Sequence, residues 1–146
     1  MYMHHEAPDG PCACTLLRKA ARAVGRLYDD ALAGQGMTTA QFALLRHIAR
    51  GEPLPLSRLA EQLVLDRTSL YRALAPIEAK GWVAVAAGSG KTKLASLTQA
   101  GRAALADAEA DWAAVQERIS REMGPGWEAL QQGLAAITGL AQQGAH

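Results

Sequence analysis

The segment 54–82 constrains the fold more than any other part of the chain. Its sequence, LPLSRLAEQLVLDRTSLYRALAPIEAKGW, contains two short stretches of helical periodicity on either side of a break. Ser57 is expected to cap the first stretch, and Asp66 follows the break as a second N-cap whose charge suits a helix N-terminus. Gly81 is the residue type expected where a helix ends. The segment therefore predicts two helices joined by a tight turn.

The second predicted helix has a buried stripe, Leu70, Leu74 and Ile77, and polar side chains around its first turns. In a helix-turn-helix, the N-terminal residues of the second helix reach base edges in the major groove of DNA. Arginine can hold guanine through two hydrogen bonds, while serine, threonine and tyrosine can bond phosphates. The residues of the two helices predicted to contact DNA are Ser57, Arg67, Thr68, Ser69, Tyr71 and Arg72.

A β-hairpin with a cationic tip is predicted directly after this pair of helices. Apolar runs over 82–85 and 94–97 flank a glycine-rich turn that contains Lys91 and Lys93, both able to neutralise DNA phosphates. The helices alone would fit an all-helical bundle equally well. With the hairpin they predict a winged helix-turn-helix, in a fold that is mainly α with a small β-hairpin wing (α+β).

The distribution of charge favours nucleic acid as a partner, although the whole chain carries a net charge of only +1. Residues 57–93 contain six basic and three acidic side chains, whereas the remainder contains nine basic and eleven acidic ones. Positive charge is therefore concentrated on the segment predicted to meet DNA.

The chain length is that of a single domain. We expect residues 1–11 to be a flexible arm, 38–97 to be the DNA-binding winged helix, and 12–33 and 98–146 to form dimerisation helices. Two winged helices can read half-sites about 34 Å apart, whereas one touches too few bases to specify a site. The alternative is that the flanking helices fold back as a monomeric bundle.

Three motifs, MTTAQFALLRHIAR, SRLAEQLVLDRTSLYRALAPIEAKGWV and SLTQAGRAAL, stand in an order and at a spacing that resemble the MarR family of bacterial transcriptional regulators. The resemblance runs from about Cys14 to about Leu105. It implies an obligate homodimer that binds a pseudo-palindromic DNA operator, usually as a repressor released by a small ligand or by thiol oxidation.

The wing departs from the pattern of that family. MarR-type wings usually carry an aspartate, a tip arginine that enters the minor groove, and a second arginine that braces the loop against the aspartate. Ser89, Gly90 and Lys91 stand at those positions. We therefore expect a more mobile wing and weaker minor-groove readout. A winged-helix module that has lost specific DNA binding and serves protein interaction remains the alternative function.

The two cysteines are candidates for redox sensing. Cys14 lies close to where the organic-hydroperoxide-sensing branch of the family has its reactive cysteine, and Tyr28 matches one of that branch's thiolate-contacting tyrosines. Arg18 and Thr39 replace the other two tyrosines. A helix N-terminus favours the thiolate, and oxidation to a sulfenic acid can proceed to a disulfide with Cys12 as the other thiol in the chain. The alternative is that Cys14 is a small buried apolar residue.

Other binding sites are less well supported by the sequence. A cleft for a small aromatic ligand would use Tyr28, His47, Trp82 and Trp112, although each is equally well explained as ordinary core. A metal site from His4, His5, Cys12 and Cys14 is disfavoured because adjacent residues rarely chelate one ion well.

We expect no cofactor, no metal and no enzymatic activity, because the sequence has no catalytic constellation beyond a lone thiol. It also has no apolar run of 18 residues and no secretory leader. A cytoplasmic protein without a membrane partner is therefore expected.

Overall fold

The structure, a computed structural model, describes residues 10–144. Nearly all of the predicted arm lies outside these residues, as do His4 and His5. Within the described part, the helices are α1 (Ala13–Leu32), α2 (Thr39–Gly51), α3 (Leu56–Leu63), α4 (Arg67–Ala79), α5 (Gln99–Met123) and α6 (Pro125–Gln143). The strands are β1 (Leu54–Pro55), β2 (Val83–Ala87) and β3 (Lys93–Leu97).

The three strands form one antiparallel sheet in the order β1-β3-β2. Val83 pairs with Leu97 at the base of the hairpin, and Ala87 pairs with Lys93 next to the turn. Alternation along β3 turns Ala95 and Leu97 inward, where both are buried. This arrangement confirms the predicted winged helix-turn-helix in a mainly helical fold.

Side chains cap the helices that frame the winged helix. Thr38 and Gln41 form a capping box at the start of α2, and Thr98 accepts a hydrogen bond from the Gly101 N–H at 3.0 Å at the start of α5. The prediction that Ser57 caps α3 is wrong. Pro55 holds the N-cap position because the chain enters α3 directly from β1, and Ser57 lies within the first helical turn.

The turn between α3 and α4 is made by a residue type that rarely adopts its conformation. Val64 has φ 54° and ψ 44°, in the left-handed region. The following Leu65 N–H donates to the Ala60 carbonyl at 2.9 Å, which closes the end of α3. A β-branched residue is strained there, so the turn depends on the packing of α3 and α4 on either side.

The last two helices are separated by a single residue, Gly124. The sequence predicts a longer interruption over 124–126, with the last helix starting at Trp127. Pro125 instead begins α6, because proline lacks only an N–H that the first helical turn leaves unpaired.

The core lies in the winged helix. Its fully buried large side chains come mainly from α2, α3 and α4, and they include Phe42, Leu45, Ile48, Leu59, Leu70, Leu74 and Ile77. By contrast, α1 buries only Leu32, and α6 buries no residue. None of the helices in the described part of the chain is both long enough and apolar enough to span a membrane.

Candidate nucleic-acid interface

The first turns of α4 present the polar side chains that the sequence assigns to DNA. Arg67, Thr68, Tyr71 and Arg72 are exposed, while Ser69 is partly buried. The opposite face of α4 is anchored by the buried stripe Leu70, Leu74 and Ile77, as predicted. The helix is therefore fixed to the core with its N-terminal polar face outward.

Asp66 fixes the N-terminus of α4. Its carboxylate accepts a hydrogen bond from the backbone N–H of Ser69 at 2.7 Å. This bond, the Ser69 hydroxyl and the charge of Arg72 hold the pKa of Asp66 below its ordinary value. The cap stays ionised at neutral pH and keeps the first turn of α4 formed.

A hollow of about 460 Å³ lies between α4 and the wing. Five of the eight residues predicted to contact DNA line it: Ser57, Arg67, Tyr71, Lys91 and Lys93. The other three, Thr68, Ser69 and Arg72, lie on α4 outside this lining. Helices and wing thus converge on one concave, cationic surface, of the kind that receives a DNA backbone.

The wing closes on itself through backbone hydrogen bonds. The Gly88 N–H donates to the Thr92 carbonyl at 2.8 Å, and the Thr92 N–H donates to the Ser89 carbonyl at 3.2 Å. Gly90 has φ 62°, which suits a residue without Cβ. The Lys93 Nζ lies 5.6 Å from the centroid of the Tyr71 ring on α4, a contact that the sequence analysis missed.

Glu52 ties the base of the wing to two neighbouring helices, a second feature that the sequence analysis missed. It follows α2, accepts a hydrogen bond from the Leu97 N–H of β3 at 2.8 Å, and forms an ion pair with Arg102 of α5. One carboxylate therefore holds together the end of α2, the end of β3 and the start of α5.

Two of the four residues predicted to line a ligand cleft border the same hollow in the described part of the chain. His47 and Trp112 border a hollow of about 260 Å³, where Trp112 stacks on Phe42 at 5.5 Å and the Arg46 guanidinium lies 4.0 Å from the Trp112 ring centroid. The lining of this hollow does not include Tyr28 or Trp82.

Tyr28 and Trp82 make contacts of their own. The Tyr28 hydroxyl donates to Gln116 at 2.6 Å, and burial raises the pKa of Tyr28. Trp82 lies beneath the Lys80 ammonium, at 4.5 Å from the ring centroid.

Both thiols are exposed at the start of α1. Cys12 is the N-cap residue, and the nearby backbone N–H and hydroxyl of Thr15 lower the pKa of the Cys12 thiol. Cys14 borders an apolar hollow of about 760 Å³ together with Leu17, Val64 and Ile137. Tyr28 is 14 residues along the same helix, roughly 21 Å away at helical rise, so it cannot contact Cys14 within one chain.

Comparison with known proteins identifies the family. The model of the MarR family matches residues 35–91. The transcriptional regulator MosR of M. tuberculosis is 36% identical, with a TM-score of 0.80 over 90% of this chain and 96% of that chain. The chain belongs to the MarR family. MosR in complex with DNA is 34% identical, with a TM-score of 0.87 over 93% of this chain and all (100%) of that one.

A curated relative, an HTH-type transcriptional regulator of Bacillus cereus, is 36% identical over 80 residues, which are 55% of this chain and 54% of that protein. The chain thus spans about half the length of the curated relatives it matches. All of these relatives are transcriptional regulators, in agreement with the prediction that the chain is not an enzyme. Membership of the organic-hydroperoxide-sensing branch stays a prediction.

Proposed function

We propose that this protein is a homodimeric repressor that binds a pseudo-palindromic DNA operator. The observation that carries the proposal is the cationic hollow between α4 and the wing, where Arg67, Tyr71, Lys91 and Lys93 converge. A winged helix binds the duplex with two elements, the N-terminus of the second helix of its helix-turn-helix and the wing. The solved complex of MosR with DNA supports the assignment, because that protein shares the fold and a third of the sequence.

The direct test is binding to duplex DNA taken from around the protein's own gene, against a scrambled duplex of equal length, across a salt series. A repressor should bind one duplex far more tightly than the other, and both affinities should fall linearly on a log–log plot against salt. Equal, weak affinity for both duplexes would contradict the proposal. It would favour the alternative of a winged-helix module that serves protein interaction.

Dimerisation is supported by the apolar faces of the flanking helices. Leu16 on α1 is 50% exposed, and Leu130 and Leu134 on α6 are 39% and 40% exposed. Rows of leucine at helical spacing that a single chain leaves in water are typical of a helix interface. A second copy that interlocks α1 and α6 with those of the first would cover them.

Sedimentation should therefore give twice the chain mass of 15.4 kDa. Leu134→Glu should shift the protein towards the monomer, because it places a charge on the apolar face. Gln131→Glu, on the same helix, is the control and should leave the dimer intact. A parent protein that sediments as a monomer would contradict the dimer.

The release step proposed here is thiol oxidation at the start of α1. The sequence singles out Cys14 as the reactive thiol, but the proposal gives that role to Cys12, because Cys12 is the N-cap residue and its thiol has a lowered pKa. The Cys12 thiolate attacks an organic hydroperoxide; an S–O bond forms, the O–O bond breaks, and an alcohol leaves after taking up a proton. The Cys14 thiol then attacks the Cys12 sulfur, so that a disulfide forms and water leaves. Helical residues two apart do not face each other, so this disulfide requires the first turn of α1 to unwind.

Two cysteine variants test the release step. Cys12→Ser should abolish the reaction with hydroperoxide, because it removes the thiol of lowered pKa. Cys14→Ser should still form the sulfenic acid at Cys12 but fail to form the disulfide. Release of DNA by hydroperoxide in both variants would rule out the thiols.

A small aromatic ligand is the alternative effector. The Phe42, Trp112 and Arg46 stack supports it, because a planar carboxylate ligand could meet a ring face and a guanidinium in the same hollow. Release of DNA by such a ligand, with both cysteines replaced by serine, would favour this route over oxidation.

A further inference from the structure

The wing of this protein lies against α4 through a lysine and an aromatic ring. Alternation along β3 puts Lys93 on the same face as the buried Ala95 and Leu97. That face is turned towards the helices, so the side chain of Lys93 extends along the protein and not away from it. Its ammonium lies 5.6 Å from the centroid of the Tyr71 ring, within the range of a cation–π contact.

The position of this contact matters because Lys93 is the first paired residue after the wing turn. It pairs with Ala87, and the turn over 88–92 connects these two residues. Within residues 10–144, the side chains of 88–92 make no hydrogen bond or ion pair to the rest of the protein. The contact with Tyr71 is therefore placed to fix the distance between the wing turn and α4.

We propose that Lys93 and Tyr71 form a brace that positions the wing against α4. The brace replaces the aspartate–arginine pair that Ser89 and Lys91 cannot make. Lys93 is then a positioning residue, and Lys91, which has no aromatic ring beneath it among residues 10–144, is the wing cation that can meet a phosphate. The brace itself does not depend on the proposed function, but its consequence for DNA binding rests on it.

A cation–π brace needs the ring face of Tyr71 and the positive charge of residue 93. Tyr71→Phe keeps the ring and removes only the hydroxyl, whereas Tyr71→Leu removes the ring. Lys93→Arg keeps a cation and Lys93→Met removes it with little change in length. Lys91→Met, in the same turn, is the matched control. Tyr71 and Lys93 are both exposed, so these variants should retain the parent circular dichroism spectrum.

The first measurement is hydrogen exchange of the wing amides, 88–93, in the free protein. Exposed cation–π contacts correspond to about a two- to fivefold change in a local equilibrium. Tyr71→Leu and Lys93→Met should each speed exchange by about that factor, while Tyr71→Phe and Lys91→Met should exchange like the parent. The brace would be overturned if the wing amides of Tyr71→Leu exchanged at the parent rate. It would also be overturned if those of Tyr71→Phe exchanged as fast as those of Tyr71→Leu.

The second measurement is a double-mutant cycle on operator affinity across a salt series. If Lys93 acts through Tyr71, the double variant Tyr71→Leu with Lys93→Met should have the same operator affinity as the single variant whose affinity is lower. If Lys93 acts by its own phosphate contact, the losses add and Lys93→Met lowers the salt slope by about 0.9 in both backgrounds. The latter outcome would overturn the positioning role. Failure of the parent to bind any operator would refute the proposed function and leave the exchange result to decide the brace alone.

Discussion

Among the glycines of the described residues, Gly101 has the most crowded Cα. A Cβ built there would lie 2.0 Å from the Trp82 carbonyl oxygen, which itself accepts the N–H of Thr98 at 3.0 Å. The start of α5 and the start of the wing thus touch backbone to backbone. No sequence pattern indicates this contact, because a glycine in a helical pattern looks the same whether its Cα is crowded or free.

We predict that Gly101→Ala lowers the free energy of unfolding by about 1 to 3 kcal/mol, which is the usual cost of forcing extra atoms into a packed site. Gly133→Ala is the control, because a Cβ there meets open space and alanine favours the helix. Urea unfolding of both variants measures the difference. Equal stability of Gly101→Ala and the parent would show that the two backbones do not approach closely.

At the same scale, Asp66 predicts a pH dependence. Its pKa in the folded protein lies below the ordinary value of 3.8, so the stability it contributes is fully present above that value and is lost as the pH falls through the folded pKa. Asp66→Asn keeps an N-cap acceptor without a titrating group. Carboxylates titrate between about pH 5 and pH 2. Over this range, thermal unfolding should show a smaller loss of stability in Asp66→Asn than in the parent. Parallel curves would contradict the role of the charge.

Among the elements, Glu52 connects the base of the wing to α2 and α5. Glu52→Ala leaves the partly buried Leu97 N–H without its acceptor and Arg102 without its partner. We expect a loss of about 1 to 3 kcal/mol in unfolding free energy. Glu52→Gln should lose less, because an amide oxygen still accepts from Leu97. The order of stability, parent above Gln above Ala, is checked by urea unfolding, and an equal loss in both variants would assign the effect to the ion pair alone.

The elements themselves were largely predictable, because their signals are local. Asp66 caps α4 as predicted, and Gly81, with φ 77°, follows the end of α4 in the left-handed region. Ser57 is not the cap of α3 because the helix begins one residue earlier, at Leu56, with Pro55 at the N-cap position. Contacts between elements, such as Glu52 with Arg102 and Lys93 with Tyr71, were not predictable, because they depend on sheet register and helix packing, to which short motifs do not refer.

For the whole molecule, dimerisation through the flanking helices stays a prediction. The single chain leaves α6 without a buried residue, and a dimer interface would require such an uncovered face. The candidate DNA surface was predictable from residue types and charge placement. The ligand cleft was not, because Tyr28, His47, Trp82 and Trp112 are brought to separate places by packing that no periodicity encodes.

We propose that the N-terminal turns of α4 read DNA bases while the wing contacts the DNA backbone. The most direct measurement compares Arg67→Ala and Lys91→Ala for their affinities to a selected operator and to a scrambled duplex, with Arg118→Ala on α5 as a control. Arg67→Ala should lose about 1 to 3 kcal/mol on the operator and little on the scrambled duplex. Lys91→Ala should weaken both equally and reduce the salt slope by about 0.9. Operator affinity that is unchanged in Arg67→Ala would contradict the account.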